Sequence, residues 1–343
     1  MSVVPAFVPA LQLDAEFYSE VVAPLLTGLP HAAARLGDGS EILGFDTERS
    51  TDHGWGPALQ LFTDRADEVR SRIEDALPET FHGWPVQYGW DDVAQGAHLE
   101  ATTLTAWLIG RLGVDPRESP TPIDWLLMPQ QQLLGLTRGR VYADPDGAVA
   151  AARSAAHYYP EQVWLWMMSC QWRRIAQVEA FVGRTAEVGD ELGSRVLAGY
   201  LVRDLMRLAF LQERSYWPYQ KWFGSAFAQL ALAADLGPIL DDVLDARDHP
   251  ARERALVTGY ELLAATHNRL GVTAPVEATA RLYHGRPYRV IGGDRFADVL
   301  RAAVTDQELR PLPPVGSVDQ FADSTDIRAN TDRTLRLRLI YTS

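Results

Sequence analysis

The sequence predicts an α+β protein: a small α/β domain with a mixed sheet, followed by a mainly α-helical domain. Three observations predict it. Strand and helix periods alternate through the first third, prolines at 116, 120, 122 and 129 interrupt the pattern, and from Pro160 onward apolar residues recur at helical spacing. The expected division is 1–125 for the first domain and 126–343, with a loop-rich tail, for the second.

The elements follow in order. Leu13-Asp14 opens a helical stretch with Phe17, Val21 and Leu25 on one face, which Gly28 and Pro30 end. His31 to Leu36 reads as a strand running into the turn Gly37-Asp38-Gly39-Ser40. Pro57 to Phe62 alternates as a half-buried strand, and Thr63 or Asp64 can cap the helix bearing Ala66, Val69, Ile73 and Leu77. Leu99-Glu100-Ala101-Thr102 alternates again before Leu104, Trp107, Leu108 and Leu112 restore the helical period. In the second domain Trp164, Met168, Trp172 and Ile175 share a core face, and Asp190 caps a helix reaching about Arg214. One helix is expected through Phe223, Phe227, Leu230 and Ala234, and others over 250–270 and 275–284. Thr334 to Tyr341 alternates and is expected to be a late strand.

Composition excludes several classes. The net charge of −13 argues against a general nucleic-acid or anionic-membrane binder, because such binding needs a basic footprint. A single cysteine, Cys170, excludes an internal disulfide framework and a cysteine-built zinc site. No apolar run is long enough to span a bilayer and no secretory leader is visible, so a cytoplasmic protein is expected. The histidines, His53, His82 and His98 among them, do not fall at zinc-site spacing, and there is no Walker loop or nucleophile elbow.

The chemistry concentrates between Gly39 and Trp55. A Gly39-Ser40 turn opening a helix offers backbone N–H groups and a hydroxyl to a phosphate. Asp52, read as lying on the following strand, can hold a divalent cation against the same phosphates, and position 54 would share its face. Glu100, on a neighbouring strand, can add a metal ligand or act as a general base. Asp46 serves the turn.

The Gly-Ser pair followed by a downstream acid resembles the signature of the polymerase-beta-like nucleotidyltransferase superfamily. More narrowly, GSEILGFDTERSTDHGWGP resembles the start of a bacterial domain-of-unknown-function family described as nucleotidyltransferase-like. The likeness continues through PIDWLLMPQQQLL, YYPEQVWLWMMSCQWRRIAQVEAFVGR, VGDELGSR, RSYWPYQKWFG and GSVDQFADSTD. It implies a nucleotidyltransferase fold followed by a helical domain. The activity expected is transfer of AMP from MgATP to a small-molecule hydroxyl or amine, with release of pyrophosphate. Gly39 and Ser40 would bind the nucleotide, and Asp52 and Glu100 would hold Mg²⁺ and serve catalysis. Lys221, in Tyr216-Trp217-Pro218-Tyr219-Gln220-Lys221-Trp222-Phe223, either reaches a phosphate or snorkels to water from a packed aromatic cluster. Arg184, Arg203, Arg207 and Arg214 either clamp an anion or pair with the acidic excess. The sequence departs from the superfamily pattern at Gly54, where a second carboxylate is expected. The alternative is therefore a catalytically degenerate nucleotide-binding or interaction protein.

Overall fold

The computed structural model describes residues 5–52, 54–74, 76–90 and 93–342. The chain divides into two compact units: one runs to Pro120 and resumes over Gln131–His157, and the other holds Thr121–Gln130 and the chain from Tyr158 onward. The boundary expected after residue 125 thus falls inside the Pro122–Leu127 helix. Residues 131–157 join the first unit because they supply a strand to its sheet.

That sheet has five strands among the described residues: β1 (Ala32–Arg35), β2 (Ala58–Phe62), β3 (Gln87–Trp90), β4 (Val93–Thr102) and β5 (Arg140–Ala143), in the order β3-β4-β2-β1-β5. β2 runs parallel to β4, and the other neighbouring pairs are antiparallel. All of β2 is buried, as befits a central strand. Leu59 and Leu61 join Leu13, Phe17, Leu26 and Val69 in the core. The polar member of β2, Gln60, is satisfied where it lies: its Oε1 accepts the Leu36 N–H at 2.8 Å.

The second unit is helical around Glu161–Glu187, in which every residue from Val163 to Trp172 is buried. That stretch of the helix is packed all round, whereas Arg173, Gln177, Phe181 and Arg184 further along are exposed. Trp172 stacks on Phe296 with ring centroids 4.4 Å apart. The Asp190 side chain caps the Glu191–Gln212 helix by accepting the Gly193 N–H at 2.8 Å.

Several expected elements differ. The helix expected through 223–234 breaks between Gln220–Phe227 and Ala233–Asp245, where the Glu213 carboxylate accepts the Ala231 and Leu232 N–H groups. No helix forms at 275–284. The Asn268 amide instead bonds both the N–H and the carbonyl of Val276, at 2.9 and 2.7 Å, and the chain passes into a two-strand ribbon, Arg281–Leu282 with Arg289–Val290. The late strand is helical: Asn330 caps Thr331–Arg336, and a 3-10 turn, Leu337–Ile340, follows. Among the described residues no helix is long and apolar enough to cross a membrane.

Candidate functional site

The Gly-Ser turn leaves the end of β1. Gly37 takes φ +98° and Gly39 φ +136°, conformations that glycine alone adopts without strain. The Gly37 N–H donates to the Gly135 carbonyl at 2.8 Å, and a Cβ at Gly135 would strike that turn's backbone. Ser40 begins a single helical turn, Ser40–Leu43, that Gly44 closes in the left-handed region. An anion already lies against the turn: a Cβ at Gly39 would collide with the Glu41 carboxylate, which pairs with Arg35.

Behind the turn is a buried charge cluster with no local motif. Asp14 accepts the Ala58 N–H at 2.8 Å and lies 3.6 Å from Arg35 Nε. Burial pushes the Asp14 carboxyl up to about 7, against the pull of Arg35 and the Ala58 N–H. The Tyr88 hydroxyl donates to the Gly56 carbonyl at 3.0 Å, closing the same corner. Asp46 is structural, its Oδ2 accepting the Ala10 N–H at 2.9 Å.

Asp52 does not lie on a strand. It ends the 3-10 turn Glu48–Asp52 and is exposed, while β2 begins only at Ala58. Positions 52 and 54 therefore do not share a strand face. Gly54 takes φ +59°, and a Cβ there would come 2.6 Å from Cδ2 of Trp90. His53 lies outside the described residues. Glu100 stands exposed on β4, in register with Gln60 of β2. Among the described residues no group of three or more His, Cys, Asp or Glu side chains could hold a metal ion.

A cavity of about 290 Å³ in the first unit opens at the start of β1, beside His31, Phe62, Thr63, Arg65 and Asp144. The Gly-Ser turn follows the end of that strand, one strand length away. His31 is held by its neighbours: Nδ1 lies 2.8 Å from the Leu29 carbonyl and Nε2 3.0 Å from the Tyr18 hydroxyl.

Lys221 belongs to the second unit. It is exposed, with Nζ 5.0 Å from the Trp222 ring centroid. Tyr216 and Trp217 are buried, so this aromatic run is in part core. The arginines pair with acids: Arg214 with Glu161 at 2.6 Å, and Arg203 and Arg207 with Asp323 at 3.0 and 3.2 Å. Arg184 lies over the Phe181 ring. Sequence reasoning missed Asp14, Arg35 and Glu41, and only the unusual placement of an acid on the apolar face of the first helix signalled them.

Residues 125–223 match a family model described as a domain of unknown function, DUF4037. That span is under a third of the chain; it takes in YYPEQVWLWMMSCQWRRIAQVEAFVGR and VGDELGSR and most of PIDWLLMPQQQLL and RSYWPYQKWFG, but neither the Gly39-Ser40 string nor GSVDQFADSTD. No curated protein and no solved structure matches the chain. The stretch from Trp125 to Phe223 is similar to an uncharacterised family.

Proposed function

We propose that the first unit carries a nucleotide site of the polymerase-beta-like kind, and that the chain transfers AMP from MgATP to a small-molecule hydroxyl or amine. One observation carries the reading. The Gly-Ser turn leaves β1, the chain returns as its antiparallel neighbour β2, and Glu100 stands exposed on β4, the parallel neighbour of β2. That order supports a site with a phosphate-binding turn at the end of β1 and an acid two strands across the sheet, level with Gln60.

Gly39 and Ser40 would contact the phosphates. Magnesium would enter with the triphosphate, screening its charge, with Asp52 and Glu100 adding single carboxylate oxygens. The acceptor oxygen or nitrogen would bond to the α-phosphorus in line as the bond to the β-phosphate bridging oxygen breaks. Pyrophosphate would leave, and the acceptor proton would pass to Glu100 or water.

A second reading, nucleotide binding without transfer, is favoured by Asp52, which lies exposed on a 3-10 turn ahead of β2 and not on a strand beside a second acid. Calorimetric titration of ATP, with Mg²⁺ and with chelator, separates the two when run beside Asp52→Asn and a pyrophosphate-release assay. Magnesium-dependent binding and acceptor-dependent pyrophosphate release, both lost in the variant, support transfer. Binding indifferent to chelator and variant supports the second reading. No binding removes both.

A further inference from the structure

The Glu191–Gln212 helix and the end of the Thr325–Arg328 turn bring three arginines of the second unit to one small cavity, and Asp323 lies on the loop that leads into that turn. Arg203 Nη1 donates to Asp323 Oδ2 at 3.0 Å, and Arg207 Nη2 donates to Asp323 Oδ1 at 3.2 Å. Arg328 closes the far side, donating through Nη2 to Gln220 Oε1 at 2.9 Å. The cavity has a volume of about 80 Å³, and Trp217 and Phe223 supply its aromatic wall. That is room for about two to three waters, or for the head of a small anion but not its body.

The charges around it do not play equal parts. Arg207 is 4% exposed and Arg328 9%, so both guanidinium groups have given up most of their hydration. Asp204 lies beneath Arg207 at 3.5 Å, and Asp319 lies beside Arg328 at 3.4 Å; both carboxylates are buried. Asp323 differs from them. Its side chain is 53% exposed, yet each of its oxygens takes one guanidinium. The buried Nε–H groups of Arg203, Arg207 and Arg328 lack a hydrogen-bond partner among the described residues. Guanidinium groups desolvated to this degree are stabilised by acceptors that fill their forks.

We propose that this cavity is an oxyanion-binding site for a phosphate or carboxylate group carried on a planar ring. Arg203, Arg207 and Arg328 bind the oxyanion, Phe223 is covered by the ring, and the Asp323 carboxylate holds the oxyanion's place until a ligand displaces it. The site lies wholly within the second unit, and its ligand is independent of the nucleotide reading of the first.

The test is calorimetry on the full chain at low ionic strength with phenyl phosphate, benzoate and inorganic phosphate as probes. One ring-bearing probe is expected to bind more tightly than inorganic phosphate, and which one does so identifies the oxyanion. Arg203→Gln, at a partly exposed side chain, is expected to weaken that probe about tenfold, the scale of one lost charge-assisted hydrogen bond. Asp323→Asn removes the competing internal anion and is expected to tighten it about tenfold, a gain that misfolding cannot produce. Absence of binding by all three probes overturns the proposal. So does affinity unchanged in either variant, which would make Asp323 a structural ion-pair partner. Inorganic phosphate binding as tightly as the ring compounds would overturn the role of Phe223.

Discussion

The Trp90 ring lies against Gly54 so closely that a Cβ on that residue would come 2.6 Å from Cδ2. Gly54 also takes φ +59°, where a side chain other than Asn or Asp is disfavoured. Gly54→Ala is therefore expected to lower stability by about 1–3 kcal/mol, from the strained backbone and the overpacked ring together. In the Trp90→Ala background the same substitution should cost less, leaving only the backbone part. Thermal unfolding of the two single variants and the double variant measures the coupling. Equal costs in both backgrounds would show that the ring is not the obstacle.

Asp14 makes a pH prediction. Its carboxyl stands at about 7 in the folded chain against 3.8 unfolded, so the folded state holds more protons between those values. The stabilisation this group contributes is full below pH 3.8 and lost as pH rises through about 7. Asp14→Asn keeps an acceptor for the Ala58 N–H and cannot titrate. The difference in unfolding midpoint between pH 5 and 7.5 should be smaller in the variant than in the parent. An identical difference would place the titration elsewhere.

Glu179 is buried and accepts three successive backbone N–H groups, from Ile291 at 2.7 Å and from Gly292 and Gly293 at 3.0 Å each. Burial raises its carboxyl to about 7 despite those bonds. Glu179→Gln would turn an amide N–H₂ toward at least one of these donors and leave it unpaired. The expected loss is about 1–3 kcal/mol, measured by denaturant unfolding. A loss below about 0.5 kcal/mol would show that the loop re-pairs with water.

Cys170 is fully buried, and burial pushes its thiol well above the usual range. A thiol reagent is expected to leave the native chain unmodified over the time in which it modifies the urea-unfolded chain completely. Reaction at equal rates would mean that the Glu161–Glu187 helix opens readily.

Elements announced by neighbouring residues were legible in the sequence. Asp190 bonds an amide three residues on, Pro160 stands just before the Glu161–Glu187 helix, and Leu59 and Leu61 flank Gln60 in β2. The turn at Gly39-Ser40 and the exposed place of Glu100 on a strand were legible for the same reason. What failed depended on distant partners. The amide of Asn268 and the carboxylate of Glu213 reroute segments whose own spacing reads as helix. The strand expected at Asp52 rests on the Gly-Ser-then-acid pattern and not on alternation, which itself starts at Pro57 and agrees with sheet pairing from Ala58. Asp323 and its arginines lie more than a hundred positions apart, and no local period connects them.

The return of residues 131–157 to the first unit bears on the order of synthesis. β1 has β2 on one side and β5 on the other, and β5 leaves the ribosome only after the Pro122–Leu127 helix, which belongs to the second unit. A nascent chain halted before Arg140 lacks the partner for one side of Ala33–Arg35, an open edge of the kind that recruits foreign strands. The first unit is therefore complete in sequence only once His157 has been added, and a truncation at Pro120 would retain the Gly-Ser turn while leaving β1 without β5.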